Sequence, residues 1–139
     1  MKYLGLDLGT RTLGVSISDL THTIASTYGT IRYDEGDYDY LISELRNIVL
    51  LEKVEKIVLG LPKNMNNTLG ESAIRCIDFG KMIEEKLNVI VVMQDERLTT
   101  VEATNYMLEA NISRKKRKKK IDSLAANIIL QSYLDRKEG

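Results

Sequence analysis

The sequence predicts an α/β fold. A three-stranded antiparallel meander is joined to parallel strands in one mixed sheet flanked by helices, as a single domain over residues 1–139. Three observations predict it. The first 33 residues hold three apolar segments joined by short turns. After them, short apolar runs alternate with segments of helical period, the signature of strand–helix–strand units. A chain of 139 residues also fits one domain of ordinary size, able to bury a core without disulfide staples.

The elements follow in order. Residues 3–8 read as a strand, then a turn at Gly9-Thr10-Arg11. Residues 12–18 read as a second strand and about 23–33 as a third. The Asp/Tyr-rich segment 34–40 leads into a helix with Leu41, Leu45, Ile48, Val49 and Glu52 at helical spacing. Ile57-Val58-Leu59-Gly60 is a short buried strand, and residues 60–67 a loop by their turn residues. A helix covers about 70–86. Leu87 to Met93 is apolar enough to suggest a strand buried on both faces. Thr99-Thr100-Val101-Glu102 is a capping box for a helix that ends near Asn111. Residues 122–135 form the last helix.

Composition narrows the chemistry. One cysteine, Cys76, forbids an internal disulfide and a multi-cysteine zinc site, and is most simply a small buried hydrophobe. One histidine, His22, forbids a histidine-pair metal site and sits in a turn between two strands. A metal here would be bound by oxygen, which favours Mg2+ or Mn2+. No apolar stretch approaches the roughly 20 residues that span a bilayer. No export signal is visible, so a cytoplasmic location is expected.

Net charge is zero, yet unevenly distributed. Residues 1–113 carry 11 Lys and Arg against 17 Asp and Glu, a net of −6. Seven consecutive cations follow: Arg114, Lys115, Lys116, Arg117, Lys118, Lys119 and Lys120. Such a run is a solvated loop, a phosphate-binding segment, or both.

The carboxylates are therefore the groups to place. In the first strand, Leu4, Leu6 and Leu8 share one face, and Gly5, Asp7 and Gly9 the other. In the second, Gly14, Ser16 and Ser18 alternate with apolar residues. Asp7 thus stands on a floor of small residues, open either to a ligand or to a closely packed helix. Asp95 and Glu96 follow the apolar strand, at the edge where ligands bind in open α/β sheets. Only one of them should reach that site, and the residues alone do not choose between them. Asp122, Ala125, Ala126, Ile129, Leu130 and Tyr133 form one stripe of the last helix. Asp122 either begins its core-facing side or serves as its N-cap. Converging carboxylates repel unless cations sit between them, and a divalent pair is the usual arrangement in phosphodiester cleavage.

Residues 6–19, LDLGTRTLGVSISD, resemble the opening of the bacterial YqgF (RuvX) family. Gly60-Leu61-Pro62, then residues 95–103 (DERLTTVEA) and 122–134 (DSLAANIILQSYL), agree with that family in order, as does the pattern at 113–119. The resemblance implies a ribonuclease H-like fold and a metal-dependent nuclease related to Holliday junction resolvases. It implies work on the 5′ end of pre-16S ribosomal RNA in ribosome biogenesis. By position, Asp7, Glu96 and Asp122 would be catalytic and metal-binding, and Arg11 with the run 114–120 would bind nucleic acid. The expected partner is structured RNA. One alternative is branched DNA cut by a junction resolvase, which needs a homodimer to present two active sites. The other is a non-catalytic nucleic-acid-binding ribosome assembly factor.

Overall fold

A computed structural model describes residues 1–62, 70–95 and 125–135. Its elements run β1 (Lys2–Leu8), β2 (Thr12–Ser18), β3 (Ala25–Arg32), α1 (Tyr38–Glu52), β4 (Val54–Leu61), α2 (Glu71–Leu87) and β5 (Ile90–Asp95). A further helix, α3, covers residues 125–135. The expected loop over 60–67 beyond Pro62, the capping-box helix and the start of the last helix lie outside the described residues.

The five strands form one sheet in the order β3-β2-β1-β4-β5. β1 pairs antiparallel with β2, and β2 with β3, which is the expected meander. β1 pairs parallel with β4, and β4 with β5. The mixed sheet therefore matches the sequence reading. β1 lies at its centre, joining the antiparallel and parallel halves.

Alternation along each strand divides the sheet into two faces. Leu4, Leu6, Leu13, Val15, Ile57 and Leu59 form one buried cluster with Leu41, Leu45, Phe79 and Ile83 of α1 and α2. Tyr3 and Val58 face the other way and pack against Ile129, Leu130 and Leu134 of α3. Helices thus cover both faces. Cys76 is 1% exposed inside the first cluster, as a buried hydrophobe should be.

Local chemistry sets the helix ends. The Asp37 carboxylate accepts from the Tyr40 amide and caps α1. Lys53 takes the left-handed conformation at the end of that helix, and Asn88 does so after α2. Asn88 corrects one expectation: Leu87 closes α2 and does not open a strand. β5 begins at Ile90, which is 59% exposed. It is an edge strand of the described sheet, half-buried rather than covered on both faces. β4 is longer than expected, because Glu55 and Lys56 interrupt the apolar pattern without ending the strand. Among the described residues, no helix is long and apolar enough to cross a membrane.

Candidate functional site at the carboxyl edge of the central strands

Asp7 is the next-to-last residue of β1 and pairs with Gly14 of β2. It shares a face with Tyr3 and Gly5, the face that α3 covers, and is itself half-buried. The parallel neighbours β4 and β5 end at the same edge, where Gly60 pairs with Gln94 and Leu61 with Asp95.

The small-residue floor divides in two. A Cβ at Gly5 would collide with the Ser16 hydroxyl, and would lie 2.6 Å from Leu130 Cβ and 2.8 Å from the Ala126 carbonyl. Ser16 Oγ donates to that same carbonyl at 2.8 Å. At Gly5 and Ser16, then, the small side chains exist to let α3 reach the sheet, not to admit a ligand. Ser18 is likewise spent on structure, accepting from the Tyr3 amide at 2.8 Å and donating to the Asp19 carbonyl. Asp7 lies one pleat beyond this covered zone.

The direction of α3 follows from its contacts. Tyr133 stacks edge-on to Tyr3, while Ala126 and Leu130 lie over Gly5. From Tyr133 back to Ala126, the helix runs from the start of β1 toward Asp7. Gln131 ties it laterally to the edge of the sheet, accepting from the Ala25 amide and donating to the Thr23 carbonyl, both at 2.9 Å. Lys56 bonds Tyr133 Oη at 2.9 Å and sits over the rings of Tyr3 and Tyr133.

A turn follows Asp7. The Gly9 amide donates to the Thr12 carbonyl at 2.8 Å, closing it. The Tyr33 amide donates to the Arg11 carbonyl at 3.0 Å, and the Tyr33 hydroxyl donates to the Gly9 carbonyl. One residue therefore fastens both sides of the turn that follows Asp7 and carries Arg11. Burial, reinforced by the neighbouring Tyr38, pushes the Tyr33 hydroxyl up to about 12. It stays protonated, and so remains a donor, at any working pH. The sequence reading missed Tyr33. The available signal was an aromatic residue directly after β3, level with the turn.

Of the expected site residues, the structure describes Asp7, on β1, and Arg11, exposed in the turn. Glu96, Asp122 and Arg114, Lys115, Lys116, Arg117, Lys118, Lys119 and Lys120 lie outside the described residues. Among the described residues, no three His, Cys, Asp or Glu side chains form a metal-binding group. The donor chemistry near Asp7 suits a hard cation. His22 is far along the sheet, stacked on Tyr3 with ring centroids 4.0 Å apart, and Cys76 is buried on the opposite face. Among the described residues, neither the thiol nor the imidazole lies at Asp7.

The family model described as RuvX, Holliday junction resolvase, matches residues 1–136. The chain belongs to the RuvX family. Relatives match over nearly its full length. A Clostridium botulinum protein (strain Alaska E43) named "Putative pre-16S rRNA nuclease" is 52% identical over 136 residues, 98% of each chain. A Bacillus subtilis protein of the same name is 48% identical over 135 residues, covering 97% of this chain and 98% of that one. Among solved structures, Thermus thermophilus RuvC in complex with a Holliday junction substrate is similar in fold. It has a TM-score of 0.63 at 12% identity, covering 99% of this chain and 96% of that one. The fowlpox virus Holliday junction resolvase gives a TM-score of 0.59 at 15% identity, covering 98% and 99%. The RuvX chain therefore has the ribonuclease H-like fold of these resolvases.

Proposed function

We propose that this chain is a metal-dependent endonuclease that cleaves phosphodiester bonds in structured RNA, namely the 5′ end of pre-16S ribosomal RNA. The observation that carries this reading is the position of Asp7. It is a half-buried carboxylate at the carboxyl edge of the central strand, in a RuvX-family chain about 50% identical to relatives named for that activity. The unit is a single nuclease domain working in the bacterial cytoplasm, where ribosomes are assembled.

Asp7, Glu96 and Asp122 are the proposed catalytic and metal-holding set. The sheet register supports Glu96 over Asp95. Val58 faces α3 with Asp7, so two residues on, Gly60 shares that face, and its partner Gln94 does as well. Glu96 follows Gln94 by two positions in the sequence, the interval at which a strand returns to one face, whereas Asp95 does not. The direction of α3 supports Asp122: the amino end of the described helix points toward Asp7, and Asp122 precedes it by three positions in the sequence.

All three donors are carboxylate oxygens, which fit Mg2+ or Mn2+. A divalent cation supplies charge neutralisation at the scissile phosphate and lowers the pKa of an attacking water. The protein's part is to fix geometry. β1 holds the Asp7 carboxylate rigidly at the edge, and the Tyr33-fastened turn holds Arg11 beside it. Arg114 to Lys120 hold the sugar–phosphate backbone without reading sequence.

The test is incubation of 5′-extended 16S precursor RNA with purified protein in Mg2+ or Mn2+, beside an EDTA control. Metal-dependent cleavage near the mature 5′ end is the expected result. Paired nicks in a four-way DNA junction by a dimer, with precursor RNA untouched, would replace this reading with the resolvase one. RNA bound equally in EDTA and cut under no metal would leave an assembly factor.

A further inference from the structure

Most cations among the described residues are engaged in structure. Lys2 pairs with Glu52 at 3.0 Å, and Lys86 with Asp39 at 3.6 Å. Lys56 holds Tyr133, Arg46 donates to the Lys86 carbonyl at 3.2 Å, and Arg75 donates to Ser72 Oγ. Among the described residues, four cations make no such side-chain contact. Lys53 ends α1 and Lys81 lies within α2, both away from Asp7. The other two, Arg11 and Arg32, are exposed and flank the edge at which Asp7 stands.

The register fixes where Arg32 lies. Asp7 pairs with Gly14, Gly14 with Thr30, and Thr12 with Arg32. Directly paired residues share a face. Ile31, the residue between, packs into the cluster beneath α1 and α2, so Thr30 and Arg32 stand on the opposite face, with Asp7. Arg32 is two strands across and two residues along from Asp7. With strands about 4.8 Å apart and a rise of about 3.3 Å per residue, the separation is about 12 Å. Between them Gly14 is buried, whereas Thr10 and Arg11 of the turn and Arg32 are exposed, so the accessible route from Asp7 to Arg32 runs along the edge of the sheet. Arg32 is also tethered to Arg11, because the amide of the next residue, Tyr33, holds the Arg11 carbonyl.

We propose that Arg32 is a phosphate-binding residue, and that with Arg11 it extends the RNA track from Asp7 along the carboxyl edge of the sheet to the end of β3. The ligand is the sugar–phosphate backbone of a single RNA strand within a few nucleotides of the scissile bond. Arg32 grips the substrate and takes no part in the bond-breaking step. This rests on the nuclease reading above and deepens it. The track lies on the opposite side of Asp7 from β4 and β5, so the strand is held across the carboxylate rather than beside it. Contacts of this kind give affinity without sequence readout, and their energy depends on salt.

The test measures binding of a fluorescent single-stranded RNA oligonucleotide taken from the 16S precursor 5′ region. EDTA prevents cleavage, and salt is varied from 50 to 300 mM. Wild type is compared with Arg32→Gln, Arg32→Lys and, as a cation on the far helix layer, Arg46→Gln. Arg32→Gln should weaken binding about threefold to fivefold. It should also reduce the log–log salt slope by about 0.7. Arg32→Lys should restore the slope, and Arg46→Gln should leave it at the wild-type value. An unchanged slope in Arg32→Gln, or an equal loss in Arg46→Gln, would overturn the assignment. RNA that binds with this Arg32 dependence but is not cut in Mg2+ or Mn2+ would sink the nuclease reading alone. Failure of the wild type to bind RNA would remove both.

Discussion

Two side chains at the edge of β1 carry the account at the residue scale. Asp7 was legible because a strand has a period of two, so its placement needed only the neighbours Gly5 and Gly9. Tyr33 was not legible. Its partners are backbone carbonyls more than 20 residues away, and nothing in local periodicity reports them. The two residues lead to different predictions. Asp7→Asn keeps the shape and removes the charge, so cleavage should fall by two orders of magnitude or more, about 2.7 kcal/mol of transition-state stabilisation. Single-turnover kinetics on precursor RNA checks this, with circular dichroism showing the fold retained. Tyr33→Phe removes one hydroxyl. In the folded chain that hydroxyl titrates near 12, against 10.0 when unperturbed. Below pH 10 both folded and unfolded states keep the proton, and the stabilisation is fully present. Between pH 10 and 12 the unfolded chain ionises first, so stability falls as pH rises. Wild type should lose more stability than Tyr33→Phe across that window, as urea unfolding at each pH would measure.

The third helix is the decisive element. Its apolar stripe was readable, and Ala125, Ala126, Ile129 and Leu130 are all buried. What could not be read was the ground it occupies. Glycine and serine in β1 and β2 were equally compatible with a ligand floor and a helix seat, because both need the same absent side chains. The structure assigns Gly5 and Ser16 to the seat. Gly5→Ala should therefore destabilise the protein by about 1–3 kcal/mol through overpacking against the Ala126 backbone and Leu130. A fall of several degrees in Tm, with RNA affinity at low temperature preserved, is the expected calorimetric and binding outcome. The boundary between α2 and β5 shows a different limit. The apolar run continues through Leu87 because that residue packs at the end of the helix, so hydrophobicity does not mark the junction. The left-handed Asn88 marks it, and asparagine at that position was the overlooked cue.

For the whole molecule, zero net charge conceals an acidic body and a basic run of seven. The described cations are mostly tied down in structure, and the account assigns affinity for a polyanion to the run, Arg11 and Arg32. Six phosphate contacts on single-stranded RNA correspond to a log–log salt slope of about −4. Replacing Lys115, Lys116, Lys118 and Lys119 with Gln should bring that slope to about −1 if each holds one phosphate, as a fluorescence titration across salt concentrations would show. The mixed sheet was legible because two short connections between three strands make a meander, and the later apolar runs alternate with helices. The proposed site was less so, because positions 7, 96 and 122 are separated by most of the chain. The central claim is that Asp7 works with Glu96 and Asp122 on a phosphodiester bond. The most direct measurement is the rate of 5′-extended 16S precursor cleavage in Mn2+ by wild type, Asp7→Asn, Glu96→Gln and Asp122→Asn. The account predicts metal-dependent cleavage by wild type and a loss of at least about 100-fold in each variant. Wild-type cleavage that persists at the same rate in Asp7→Asn would contradict it.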